Sequence, residues 1–123
     1  MLRTLPLALL LVLLAGYPSP RLEARSYSAV GMASHYAAKH HGKRTASGEL
    51  VDRNTLTAAH RSLPLGSRVR VTSLRTRQSV VVRINDRGPR ASGRIIDLSY
   101  KAARQLEMLH AGVALVRLEL LDD

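Results

Sequence analysis

Four carboxylates stand beside loop or strand-end signals: Glu49, Asp52, Asp86 and Asp97. Such positions are where scaffolds present reactive side chains. Asp86 carries the strongest chemical reading. It follows the alternating run Val80, Val82, Ile84, and Asn85-Asp86-Arg87-Gly88-Pro89 is a dense turn signal that would present it. One well-placed carboxyl can protonate a leaving oxygen and then take a proton back. In a chain this basic each of the four could instead be an ion-pair partner, and Asp97 could serve the start of a helix at Ser99. Asn85 could orient Asp86 or simply form the turn, and Arg87 reads as a structural or substrate-positioning donor rather than a catalyst. His35, His40, His41 and His60 invite a metal reading, yet no H-E-x-x-H or similar spacing is present. No metal and no cofactor are therefore expected.

The elements that must hold these residues follow from a period-two hydrophobic rhythm. Ser28 to Tyr36 reads as a strand, Lys39 to Ser47 as a polar loop and Thr55 to His60 as a short strand. Leu63-Pro64-Leu65-Gly66 is a turn. Val69 and Val71, then Val80, Val82 and Ile84, give two strands around a polar turn at Arg75 to Gln78. Arg94 to Leu98 is another strand. Ser99 is placed to N-cap a helix whose apolar face holds Ala102, Ala103, Leu106 and Leu109, and Gly112 ends it. Val113 to Leu121 is the last strand. Short strands with one helix point to a small closed β-barrel.

The chain has 123 residues, 46% of them apolar, which suits one small packed domain. It has no Cys, so disulfides, thiolate zinc sites and cysteine nucleophiles are excluded. It also has no Phe or Trp, so the core must be aliphatic. With only four Tyr there is little on which to stack bases, which argues against a nucleic-acid partner despite a net charge of +10. Attraction to an anionic polymer of another kind fits the charge better. The arginines at 68, 70, 75, 77 and 83 alternate and read as one solvated face.

Arg3 and the apolar run Leu5 to Ala15, broken by Pro18 and Pro20, have the form of a secretory signal peptide and are short for a bilayer span. Residues 1–25 are expected to be removed on export, an uncleaved anchor being the alternative. Arg3, Arg21, Arg25 and Glu23 leave with them, so the charge of 26–123 falls from +10 to +8.

A set of ordered motifs spans Gly31 to Met108: G-x-A-S-x-Y at Gly31 to Tyr36, T-A-x-G-E at Thr45 to Glu49, L-T-A-A-H at Leu56 to His60, L-P-L-G at Leu63 to Gly66, N-D-R-G-P at Asn85 to Pro89 and R-I-I-D-L-S at Arg94 to Ser99. Together they resemble the rare lipoprotein A family. The resemblance implies a six-stranded double-psi β-barrel with one short helix, the fold shared with expansins and some lytic transglycosylases. It implies lytic transglycosylase activity, cleaving peptidoglycan between N-acetylmuramic acid and N-acetylglucosamine to leave 1,6-anhydromuramic ends in the periplasm or cell envelope. It carries Glu49, Asp52 and His60 into one cleft with Asp86 as catalytic candidates, and Tyr36 joins Asn85 and Arg87 as substrate-binding candidates. Two features depart from the family. Leu13-Leu14-Ala15-Gly16 is followed by Tyr17 where family members carry the acylated Cys, so no lipid anchor is expected. No C-terminal glycan-binding module is expected after the last strand, and the protein is expected to be a monomer. A non-catalytic peptidoglycan-binding module of expansin type is the alternative function, and a structural envelope protein with a vestigial site is a third.

Overall fold

The computed structural model describes residues 27–36 and 40–121. The leader reading of residues 1–25 lies outside them. The chain order is β1 (Ser28–His35), β2 (Thr57–Ala59), β3 (Arg68–Ser73), β4 (Ser79–Asp86), β5 (Arg94–Leu98), α1 (Tyr100–Gln105) and β6 (Ala114–Leu121). The six strands close into a barrel in the order β1-β5-β2-β4-β3-β6. β1 runs parallel to β5 and β2 parallel to β4, while the other neighbours are antiparallel. Closure leaves the sheet without a free edge.

Alternation puts Val69, Val71, Val80, Val82, Ile84, Ile96, Leu98, Val116 and Leu118 inside, while Arg68 and Arg70 face out. The core is aliphatic because the chain offers no Phe or Trp. Short β-branched side chains fill a narrow barrel without the bulk of aromatic rings.

Ser99 caps α1 as expected, its hydroxyl accepting the Ala102 N–H at 3.3 Å. The helix is shorter than the sequence suggests. It ends at Gln105 rather than running toward Gly112, because Glu107 takes φ 56° and turns the chain into a left-handed conformation. Ala102 and Ala103 pack against the barrel beneath.

Both parallel ladders carry a register shift. On β4, Ile84 pairs with Ala58 and Asp86 with Ala59, so Asn85 is the extra residue. On β5, Arg94 pairs with Met32 and Ile96 with Ala33, so Ile95 is the extra residue. The second bulge requires a glycine opposite. A Cβ on Gly31 would meet Ile95 Cγ2 at 2.8 Å, a clash with a stiff β-branched side chain.

Candidate active site

The bulge on β4 sets the site. Without it, alternation would follow buried Ile84 with an outward Asn85. Instead Asn85 is buried at 3% exposure and Asp86 emerges partly open on the outer wall. Among the described residues the buried Asn85 side-chain oxygen has no hydrogen-bond partner, and its backbone carbonyl accepts the Ser47 N–H at 3.1 Å.

The Asp86 carboxylate accepts hydrogen bonds from three donors. The Tyr36 hydroxyl donates to Oδ2 at 2.7 Å. The Ala46 and Arg87 backbone amides donate to Oδ1 at 2.9 and 2.8 Å. Burial first, then the hydrogen bond to Asp86 and the charges of Asp86 and Asp97, push the Tyr36 phenol above its ordinary value. It therefore stays protonated and remains a donor. Tyr36 is pinned in turn by its backbone N–H to the Leu98 carbonyl at 2.9 Å.

Glu49 lies on the loop that supplies Ala46. Its carboxylate is gripped by Arg83 through two contacts, 2.5 and 2.8 Å, and accepts from the Ser47 hydroxyl at 3.1 Å. The Arg83 guanidinium holds it below the usual carboxylate range. The Arg44–Leu50 bridge and the Thr45 bonds to Glu49 close this loop into a small hairpin. Glu49 thus reaches Asp86 through the loop backbone.

The Asp52 carboxyl is engaged in a turn, accepting the Asn54 N–H at 2.9 Å. Among the described residues its hydrogen bonds stay within residues 52–55.

His60 is buried, and its ring nitrogens bond groups other than the Asp86 carboxyl. Its Nδ1 accepts the Ser62 and Leu63 amides, each at 3.1 Å, which fixes the neutral tautomer carrying hydrogen on Nε2. That Nε2 faces the Tyr27 hydroxyl at 3.2 Å. Burial, then Arg87 and Arg61, lower its proton affinity. Its backbone N–H donates to the Asp86 carbonyl at 3.1 Å. Arg87 straps the same turn, donating to the carbonyls of His60 and Leu63 at 3.1 and 2.7 Å. Asp86 and Tyr36 are therefore brought together directly, and Glu49, His60 and Arg87 frame them, whereas Asp52 shapes a neighbouring turn and Asn85, expected to bind substrate, is instead buried by the bulge.

Tyr36 also borders a pocket of about 170 Å³ lined by His35, His41, Val51, Arg53, Ser99 and Tyr100. The Arg53 guanidinium sits 4.3 Å from the centre of the Tyr100 ring.

One contributor escaped the sequence reading, and one was named there without a site role. The Ala46 amide carries no side-chain signature at all. Asp97 was open to a helix-start role, yet Ser99 alone caps α1. Its usable signal was a carboxylate inside the apolar strand Ile95-Ile96-Asp97-Leu98, a costly placement that calls for a reason.

A closed six-stranded barrel with two parallel pairs and one short helix fits the double-psi β-barrel class. Residues 28–118 match the model of the family described as lytic transglycolase, and the chain belongs to that family. Among curated relatives, the chain is 52% identical over 99 residues to the endolytic peptidoglycan transglycosylase RlpA of Pasteurella multocida, covering 80% of this chain and 34% of that protein. It is 58% identical over 90 residues to the probable endolytic peptidoglycan transglycosylase RlpA of Synechocystis, covering 73% and 28%. These relatives bear out the rare lipoprotein A resemblance carried by the motifs. The chain spans about a third of the length of the curated relatives it matches. Among solved structures, the Streptomyces papain inhibitor superposes with a TM-score of 0.61 at 21% identity, covering 77% of this chain and 96% of that one. A Clavibacter michiganensis expansin superposes at 0.63 and 21%, covering 79% and 52%. These two likenesses concern the fold alone.

Proposed function

We propose that the chain is a peptidoglycan lytic transglycosylase, cleaving between N-acetylmuramic acid and N-acetylglucosamine and leaving 1,6-anhydromuramic ends. The observation that carries this reading is the Asp86 carboxyl, fixed on the outer wall by the Tyr36 hydroxyl and two backbone amides. A carboxyl oriented by three donors is positioned before substrate arrives, which is what proton transfer in a transition state requires. The muramic C6 hydroxyl then replaces water as the attacking group, so no bound nucleophile is needed. The names of the relatives support the substrate class.

Tyr36 orients Asp86 and faces the sugar. Asn85 sets the bulge that presents Asp86. Glu49, through Arg83, holds the loop that donates from Ala46. His60 and Arg87 hold the turn behind Asp86, and Asp52 shapes the loop edge of the adjoining pocket. The protein acts outside the cytoplasm, without a lipid anchor, after loss of residues 1–25, and its positive charge draws it to the anionic wall.

Digestion of purified peptidoglycan followed by mass analysis tests the reaction. Fragments ending in 1,6-anhydromuramic acid, one water lighter than hydrolysis products, are expected. Reducing muramic ends would make the protein a hydrolase. Glycan binding with no release would make it a wall-binding module of expansin type.

A further inference from the structure

The outer wall holds a second carboxylate that the reading above leaves without a task. Ser34 pairs with Asp97, Asp97 with Ala59, and Ala59 with Asp86, giving one row across β1, β5, β2 and β4. The adjacent residues Ala33, Ile96, Ala58 and Ile84 belong to the core, so this row lies on the side of the sheet away from the barrel interior, with Ser34 and Ala59 buried and the two aspartates partly exposed. Ala59 stands between the two aspartates in the row. Two strand spacings put their backbones about 10 Å apart, close enough for one sugar linkage to lie between the carboxyls. Tyr36 is within electrostatic reach of both and bonded to one.

The ordinary uses of a partly buried carboxylate do not apply to Asp97. It caps no helix, since Ser99 holds that place. Among the described residues its hydrogen-bond partner is the Ser34 hydroxyl, which donates to Oδ1 at 3.2 Å, and it forms no ion pair. A carboxylate left so thinly served in a partly apolar setting is a poor structural element. Asp86, by contrast, is surrounded by donors that fix its direction.

We propose that Asp97 is the proton donor of the transglycosylation, and that Asp86 is the proton acceptor. This rests on the reading of the site as a lytic transglycosylase. The bond from muramic C1 to the glycosidic oxygen breaks, and the Asp97 proton passes to that oxygen as the N-acetylglucosamine leaves. The C6 hydroxyl oxygen bonds to C1, and its proton passes to Asp86. The net result is one proton moved from Asp97 to Asp86, and exchange with solvent restores the pair. No water is consumed.

Burial supports the assignment by pushing the Asp97 carboxyl up. Against burial act the Ser34 hydroxyl and any positive charge on His35, His40 and Arg94, while Tyr36 faces it uncharged. A donor must be protonated, so the rate falls as pH rises through the Asp97 ionisation.

Asp97→Asn keeps an oxygen acceptor for Ser34 and removes the proton. We expect release of anhydro-ended fragments from purified peptidoglycan to fall about 10²–10⁴-fold, with little change in melting temperature. Ser34→Ala is the sharper probe. Removing the donor disfavours the ionised carboxylate, so the alkaline limb of the rate profile should move to higher pH, a shift that a merely structural Ser34 would not cause. Should Asp97→Asn fail to fold, that limb still decides the question. Activity retained in Asp97→Asn, or a limb unmoved by Ser34→Ala, overturns the assignment and leaves the transglycosylase reading standing. Reducing-end products that vanish in Asp97→Asn overturn ring closure and keep Asp97 as donor. No release of any kind from the unaltered protein overturns both.

Discussion

The antiparallel and parallel ladders of this barrel differ in regularity. β3 pairs with β4 over five consecutive positions, and with β6 over six, without a shift. Each parallel ladder, β1 with β5 and β2 with β4, is interrupted once. The regular side alternates aliphatic and arginine residues and supplies core. The interrupted side breaks its own alternation and in doing so aims Asp86 out of the wall and sinks Asn85 into it. Chemistry here depends on departures from the period, and stability on adherence to it. Changes on the two sides should therefore have different readouts.

The largest expected effect is on the interrupted side. Asp86→Asn preserves size and hydrogen-bonding capacity, and should lower transglycosylase turnover by about 10²–10⁴-fold while the thermal transition stays in place. A large loss of folded protein would show that Asp86 stabilises its turn instead. The matching change on the regular side is Leu118→Ala. Leu118 is fully buried on β6. Its truncation should cost about 2–5 kcal/mol of stability in a denaturant titration, with turnover per folded molecule preserved. Comparable activity losses in both variants, once corrected for folded fraction, would dissolve the contrast.

A smaller effect is expected from Tyr36→Phe. It removes one of three donors to Asp86, a hydrogen bond to a charged group worth about 1.5–3 kcal/mol. Turnover should drop by about 10–100-fold and binding of glycan should change less. An unchanged rate would mean that the two backbone amides orient the carboxyl by themselves.

The smallest effect concerns His60 and pH. Its proton affinity is lowered in the folded state, so unfolded chains bind the extra proton first as pH falls. The stability contribution is therefore fully present above the unfolded value of about 6.5 and is lost as pH falls through the folded value. Melting temperature measured across that interval should decline on acidification, and the His60 share of the slope should disappear in His60→Gln. A slope unaltered by that substitution would remove His60 from the account.

What could be read from sequence divides along the same line as the ladders. Valines 69, 71, 80 and 82 announce their strands because each points where a strict period of two requires. The extent of β4 was harder to see. Asn85 and Asp86 read as turn residues, and their inclusion in the strand depends on a bulge defined only by the partner strand. Asp86 itself was legible, since an acid beside Gly88-Pro89 stands out. The support around it was not, because the Ala46 amide, the Arg83 grip on Glu49 and the Asp97 row join residues far apart in the chain. Long-range register is the information that local pattern lacks.

The Ala46 and Arg87 amides have a consequence for how this site can evolve. Because both donors to Asp86 Oδ1 belong to the main chain, almost any side-chain exchange at 46 or 87 leaves them in place. The carboxyl's surroundings are thus inherited through the path of the chain rather than through residue identity. A lineage can drift widely at those two positions and keep the same anion cradle, so alignment by residue type undercounts it. Proline at 46 is the one coded replacement that deletes its N–H, and it is the residue such a lineage should never be found to accept there.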